Sequence, residues 1–485
     1  MFENIVAIIK SKKRINGYPL NVPFNPPQKY PEYPFNKDDI DSSNKVYTLV
    51  RELLFYLELD KGNYGREKWN PLKEIVHQGD NVVIKPNMVL HFNASGKDIN
   101  SVITHGSIIR AVMDYVFIAL RGRGNITIAD APQMNADFGK LIEVNGLKEV
   151  IKFYRSKIQN IDITVSAIDL REERTLYKHG IVWKRVKLAG DPKGYTIIDL
   201  GSESEFSNIN CKNVYGADYN RNETRRVHVR GSHKYYISKT ILDADVLISI
   251  PKMKVHRKSG VSLNLKNMVG IIGNKNYIPH FRIGSSKEKG DETTEYNVIK
   301  KIDRKLRDLL LGKIWQIGKY PYAVWFLVIS KLRLLNENEI EKGNWYGNDT
   351  VWRGVLDLNK ILFYLDKKRM SAEKKCRKYF SLIDGIIAGE GEGPLSSTPK
   401  YCGIIIGGMN PVCVDLVTTR LMGFDCYKIP LLRNALNIKK YSLYSEDISD
   451  IIIKSNISDL KSPFKTTMKH YQFEPPRGWK GHIEL

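Results

Sequence analysis

Cysteine is scarce and scattered. The five in this 485-residue chain, Cys211, Cys376, Cys402, Cys413 and Cys426, form no CxxC and no paired spacing. That argues against an iron–sulfur cluster or a zinc site built on a local cysteine motif. Long apolar runs are missing too. The longest, Tyr320–Leu335, offers about ten apolar residues before Lys331 and Arg333, where a membrane span needs ~20. It reads as a buried helix, with a membrane-surface helix as the alternative, and no transmembrane segment is expected. The N-terminal apolar run is too short for a signal peptide, and its charges follow it instead of preceding it. Lone thiols without a secretion signal fit a reducing cytoplasm. There is no Walker loop, GxGxxG or HExxH, and no RNP strand, helix-turn-helix or GxxG clamp in the right context.

Positive charge is abundant. Seventy-six Lys and Arg against 53 Asp and Glu leave a formal charge of +23. Such an excess favours anionic partners and makes nucleic acid a candidate that no motif supports. The basic residues are spread along the whole chain, with small clusters at 10–14 and 300–307. With 42% hydrophobic and 27% charged residues the composition is that of a globular protein, long enough for two or three packed units.

Apolar runs alternate with helical periodicity in the order strand, helix, strand, helix. Asn81–Lys85, Asn125–Ala129, Asp245–Ile250, Phe380–Ile383 and Gly403–Ile406 read as strands. Ser43 and Thr104 are placed to cap helices over 43–59 and 104–120, and a third helix runs from Pro411 to Met422. Continuously apolar strand interiors separated by helices predict an α/β fold: a mainly parallel sheet with flanking helices, plus a strand-rich insertion and a helical insertion. The predicted units are an N-terminal arm and helix (1–80), a first α/β unit (81–160), the strand-rich insertion (161–234), a central strand–loop–helix site (235–290), the helical insertion (291–378), a C-terminal α/β unit (379–437) and a tail (438–485). The last part of that tail, 464–485, reads as draped over the surface.

Ligands of open parallel sheets gather at the carboxyl ends of the strands. Four such ends carry polar groups here. Lys85 and Asn87 follow the first strand, Asp130 the second, Lys252, Lys254 and His256 the third, and Asp384, Glu390 and Glu392 the fourth. Lys252, Lys254 and His256 alternate, so an extended backbone puts them on one side. Ser262 is placed to cap a helix carrying Asn264, Lys266 and Asn267. Its N–H groups and the lysines around it suit a phosphate or carboxylate, against the alternative of a solvated basic loop. Asp384, Glu390 and Glu392 in a glycine-rich loop offer ligands for a divalent metal, or form a plain acidic loop. Asp130 either ligates with them or caps the turn before Pro132. Thr104 and His105 face the same crevice, and His280, in a loop beyond Lys266, is placed for a general base.

The strings VVIKPNMV, THGSIIRAV, ITIADAP, DADVLISIPKMKVHRKSGVSLNLKNMVGIIG, LIDGIIAGEGEGP and NPVCVDLVTTRLMGFD, in this order over about residues 80–437, resemble the family catalogued as domain of unknown function 362. Many members carry a ferredoxin-like iron–sulfur module, for which this chain lacks the cysteines. A more distant resemblance is to nickel-pincer lactate racemases, in which a histidine, a lysine ten residues on that holds the cofactor, and a further histidine follow a strand. His256, Lys266 and His280 repeat that spacing. The racemases' Gly-Gly-Arg is here Leu263–Asn264–Leu265, and their earlier histidine pair is Asp130–Ala131–Pro132. Both departures count against nickel.

The leading expectation is an enzyme acting on a small anionic or hydroxylated substrate by proton transfer, in the manner of an isomerase or epimerase. His256, Lys266 and His280 would be catalytic, and Lys85, Asn87, Thr104, His105, Lys252, Lys254, Ser262, Asn264 and Asn267 would bind substrate. Two alternatives stand beside it: a non-catalytic protein binding nucleic acid or another polyanion, and metal-dependent phosphoryl or nucleotide-sugar chemistry at Asp130, Asp384, Glu390 and Glu392.

Overall fold

Valine- and isoleucine-rich segments pair into one ten-stranded sheet. The structure, a computed structural model, describes residues 3–12, 17–178, 181–216, 221–295, 298–333, 341–369, 371–460 and 471–485. The strands are β1 (Ile5–Lys10), β2 (Asn81–Pro86), β3 (Arg123–Asp130), β4 (Asp162–Asp169), β5 (Val246–Ile250), β6 (Lys252–His256), β7 (Gly260–Ser262), β8 (Lys378–Glu392), β9 (Ser396–Gly408) and β10 (Ile452–Ser455). Their order is β10-β1-β9-β8-β5-β2-β3-β4, with β6 alongside the far half of β8 and β7 against β6. The central strands β8, β5, β2, β3 and β4 are all parallel, while β9 runs against both β8 and β1. The fold is therefore α/β with a mainly parallel sheet.

Both sheet faces are covered, which is why the strand interiors are apolar throughout. Val82, Ile84, Val246 and Ile248 point to one side, against α1 (Lys45–Tyr56) and α2 (Gly106–Leu120). Val83 and Leu247 point to the other. That second face also carries a one-turn helix, α3 (Asn264–Asn267). Beyond α3 come two insertion helices, α4 (Val298–Arg307) and α5 (Trp315–Arg333), and then α6 (Val351–Tyr364) and α7 (Pro411–Met422). Of these, α6 and α7 pack into the second core.

Several local expectations are corrected. Asn44, not Ser43, caps α1, and His105, not Thr104, caps α2. The run 162–169 belongs to the main sheet as β4, so the strand-rich insertion begins after it, with the hairpin Glu173–Lys178 and Ile181–Lys187 and a small sheet containing Tyr195–Asp199 and Ser232–Ser238. Residues Asp384–Glu392 are not a loop: they continue β8 into a long hairpin with β9. Helix α6 sits in the main core instead of the helical insertion. The tail is not draped, since Phe473, Trp479 and Ile483 are buried; positions 464–470 of it lie outside the described residues. Helix α5 buries Tyr322, Ala323 and Ile329 but exposes much of its remaining apolar surface; positions 334–335 of that predicted helix lie outside the described residues. Among the described residues no helix is long and apolar enough to cross a membrane.

Candidate functional site

The carboxyl ends of β2, β3 and β5 open onto one hollow of about 110 Å³, a size suited to a small ligand. Lys85, Asn87 and Asp130 come to it from β2 and β3, and Lys254 and His256 from β6. Ser262, Lys266 and Asn267 come from β7 and α3, and Lys275 and His280 from the loop beyond. The sheet brings them together because Pro86 and Pro251 stop their strands at the same level, where Ile250 pairs with Pro86.

Four lysines and one carboxylate make the hollow strongly cationic, and three of the lysines are tied down. Lys85 Nζ donates to Asp130 Oδ1 (2.8 Å), Asn267 Oδ1 (3.0 Å) and the Pro86 carbonyl (3.1 Å). The other oxygen of Asp130 accepts the Met88 N–H at 2.7 Å, so this carboxylate is spent on Lys85 and the β2 turn. Lys254 Nζ donates to the Val102 carbonyl (2.6 Å), and Lys275 Nζ to the Val269 carbonyl (2.8 Å). Lys266 Nζ has no hydrogen-bond or ion-pair partner among the described residues, although the residue is only 8% exposed. Burial, with Lys85 nearby, pushes its ammonium down to about 8. Burial likewise pushes Lys275 down to about 7 and Lys254 well below the ordinary lysine range. Gly270 makes the close packing feasible: a Cβ there would stand 2.1 Å from Asp130 Oδ1 and 2.5 Å from Lys85 Nζ.

The two histidines are fixed by different bonds. His256 Nδ1 accepts the Lys258 N–H at 3.0 Å, whereas His280 Nδ1 lies 2.9 Å from the Ile278 carbonyl, which can only accept. Burial first, and the neighbouring lysines second, hold both rings well below the usual imidazole range, so both are neutral. Among the described residues the Oδ1 of Asn87 is buried without a hydrogen-bond partner.

Other predicted residues are drawn elsewhere. Thr104 donates to the Ile250 carbonyl (2.6 Å) and accepts the Asn87 N–H (3.0 Å), which ties the Asn87 turn to β5 from behind. His105 stacks on Tyr18 at 4.1 Å and caps α2; burial, with Lys252 beside it, pushes it down to about 3. Lys252 is on the same side of β6 as Lys254, yet it is paired with Asp384 and Tyr18. Ser262 does not cap α3. That place is taken by Asp415 of α7, whose carboxylate accepts the Asn264 and Leu265 N–H groups and the Asn264 amide, each at 2.9 Å. Asn264 is thereby turned away from the hollow.

The proposed acidic metal ligands do not converge. Asp384 is engaged by Lys252, Tyr18 and the His105 N–H, Glu390 by Lys400 and the Glu474 N–H, and Glu392 by the Arg477 N–H. Successive positions along β8 separate them. Among the described residues no group of three His, Cys, Asp or Glu side chains could hold a metal ion, so the carboxylates named from the sequence do not fit a divalent-cation cage. Lys275 and Gln133, which line the hollow, and Asp415, which caps α3 from outside it, were unforeseen. Lys275 follows Lys266 by nine positions in the same polar run, whereas Asp415 looks like any helix residue until its partner is known.

Residues 82–198 and 189–420 match the model of the family described as Domain of unknown function (DUF362). The chain belongs to this family. Every residue of the hollow lies within the matched span. No curated protein is similar enough to match. Among solved structures, the lactate racemase apoprotein from Thermoanaerobacterium thermosaccharolyticum is 11% identical with a TM-score of 0.28, over 76% of this chain and 55% of that one. The chain thus spans little more than half of that protein, and so loose a likeness assigns no residue a role.

Proposed function

We propose that the hollow is the active site of an enzyme that binds a small carboxylate- or phosphate-bearing substrate and moves a proton on it, as an isomerase or epimerase does. The observation that carries this reading is the partnerless ammonium of Lys266 beside two buried, neutral histidines. A buried cation without a counter-ion is costly, and a substrate anion supplies one. The orphaned Asn87 Oδ1 accepts a substrate hydroxyl, which favours 2-hydroxy acids and sugar acids.

The hydrogen bonds of the histidines divide their labour. A neutral ring that accepts at Nδ1 carries its proton on Nε2, so His256 is the proton donor. A ring that donates from Nδ1 leaves Nε2 bare, so His280 is the base. With the substrate carboxylate on Lys266, His280 takes the proton from the adjacent carbon and becomes imidazolium. His256 gives its Nε2 proton to that carbon and becomes imidazolate, and the extra proton on His280 passes through solvent to His256 before the next turnover. The lysines stabilise the enolate-like charge between these steps. Incubation of the purified protein with candidate 2-hydroxy acids and sugar acids in D₂O, followed by NMR, tests the proposal. Deuterium enters the carbon next to the carboxylate in the unaltered protein and not in Lys266→Ala. Absence of uptake from every such acid counts against it.

A further inference from the structure

Helix α5 is apolar on both sides. Its inner face buries Tyr322, Ala323 and Ile329, and the first two pack with Ile181 and Trp183 of the strand-rich insertion. Its outer face exposes Ile317 (74%), Tyr320 (56%), Val324 (64%), Leu327 (48%) and Val328 (49%). Steps of three and four residues put these side chains in one stripe along the helix. In α4 and the turn that leads from it to α5, Val298, Ile299, Ile302, Leu309 and Ile314 are exposed as well. Apolar surface gathered in this way marks an interaction site more often than bare solvent-facing surface.

The charge around the stripe has one sign. Residues 298–333 hold nine Lys and Arg against two Asp. Neither aspartate is free: Asp303 is buried and bonded to Tyr322 and Trp325, and Asp308 is bonded to Tyr215 and Arg221. Lys305, Lys313 and Lys331 are exposed, and Lys319 lies over the rings of Trp183, Trp315 and Tyr320. An apolar stripe with lysines beside it and aromatic rings at its edge matches a surface that is negative outside and apolar beneath. Two copies of the chain meeting on this face would bring lysine against lysine, which disfavours self-association.

We infer that the α4–α5 hairpin docks in the plane of an anionic phospholipid bilayer. The stripe from Ile317 to Val328 enters the headgroup boundary, and Lys305, Lys313 and Lys331 meet lipid phosphates. No crossing of the membrane is involved, and the inference does not depend on the chemistry of the hollow.

The test is co-sedimentation of the full chain with vesicles of phosphatidylcholine alone and of phosphatidylcholine with phosphatidylglycerol, at low and high salt. The expected result is binding to the phosphatidylglycerol vesicles that weakens with salt and falls at least ~10-fold in the Val324→Glu/Leu327→Glu variant. Lys313→Glu/Lys331→Glu is expected to weaken it comparably, and it decides the matter if the first variant does not fold by circular dichroism. No binding to the anionic vesicles, equal binding to phosphatidylcholine alone, or undiminished binding by both variants overturns the inference. So does a lipid-free dimer, seen by light scattering, that Val324→Glu/Leu327→Glu dissociates, because the stripe then belongs to a second copy.

Discussion

Lys252 and Asp384 neutralise each other inside the protein, with Nζ and Oδ2 2.6 Å apart and both side chains fully buried. The hydroxyl of Tyr18 completes the cluster, donating to Asp384 Oδ1 at 2.6 Å. The pair sits where β6 runs beside β8, behind the hollow, and it removes one predicted substrate lysine and one predicted metal ligand together.

Removing one member of that pair strands the other. Asp384→Ala is expected to cost about 3–5 kcal/mol of stability, because an unpaired ammonium remains in the core. Lys252→Met combined with Asp384→Leu is expected to recover most of the loss, since an apolar pair of similar volume replaces the ionic one. Urea unfolding of the single and double variants measures both effects. If Asp384→Ala is as stable as the unaltered chain but changes its response to Mg²⁺, the carboxylate is a ligand after all.

Anion affinity is expected to fall as pH rises from about 7 through about 8, where Lys275 and then Lys266 give up their protons. Both folded-state values lie below the ordinary 10.5. The unfolded chain therefore binds more protons between about 7 and 10.5, and the stability of the unliganded protein rises with pH over that window. Ligand binding runs the opposite way, with a loss of roughly tenfold per charge. Calorimetric titration with a 2-hydroxy acid across this range should show two steps, and Lys266→Ala should lack the upper one. A flat profile in the unaltered protein would exclude Lys266 as the anchor.

His256→Asn and His280→Asn are expected to lower proton exchange by ~10²–10⁴-fold each while leaving anion binding nearly intact. Because one ring donates and the other accepts, the two variants should impair opposite enantiomers of a chiral substrate more strongly. Exchange into each pure enantiomer, followed by NMR, separates them. Equal loss of binding in both variants would mean that the rings hold the anion instead of moving protons.

Local pattern carried the parts of the fold that depend on local forces. Val82–Ile84, Ile126, Ile128, Leu247, Ile248 and Ile250 are apolar because both sheet faces are covered, and a strand that ends in Lys-Pro-Asn or Pro-Lys leaves its polar groups at the sheet's open end. His256, Lys266 and His280 were legible for that reason. What stayed hidden depends on distant partners. Nothing near Ile5–Lys10 announces that its neighbours in the sheet will be Ile404–Gly408 and Ile452–Ser455. The glycines of Asp384–Glu392 read as turns, yet they lie in a hairpin, and Gly389 lets a neighbouring turn approach closely: a Cβ there would stand 2.5 Å from the Ser101 carbonyl oxygen. Three carboxylates close in sequence look like a cage, but 384, 390 and 392 are spread along one strand and each meets a different cation or N–H group. Trp479 is buried in the main core, where its indole N–H reaches the Arg257 carbonyl at 2.6 Å, a partner far away in sequence.

Asp415 puts the same lesson to an experiment. It does not line the hollow, yet it holds the first N–H groups of α3, the turn that carries Lys266 and Asn267. Asp415→Ala would leave two buried backbone donors and the Asn264 amide without an acceptor, a loss of about 3 kcal/mol. Burial pushes the Asp415 carboxyl up to about 7, above its ordinary 3.8, in spite of these donors. The folded chain therefore binds more protons between these values, and this group's contribution to stability declines as pH rises from about 4 to about 7. Asp415→Asn should remove that decline while keeping part of the cap. Both substitutions should also weaken anion binding, by releasing the turn that aims Lys266. Thermal melts at several pH values, paired with calorimetric titration of the same anion, read stability and aim separately. If Asp415→Ala lowers stability but binds the anion with undiminished affinity, α3 keeps Lys266 in place without its cap, and the positioning role fails.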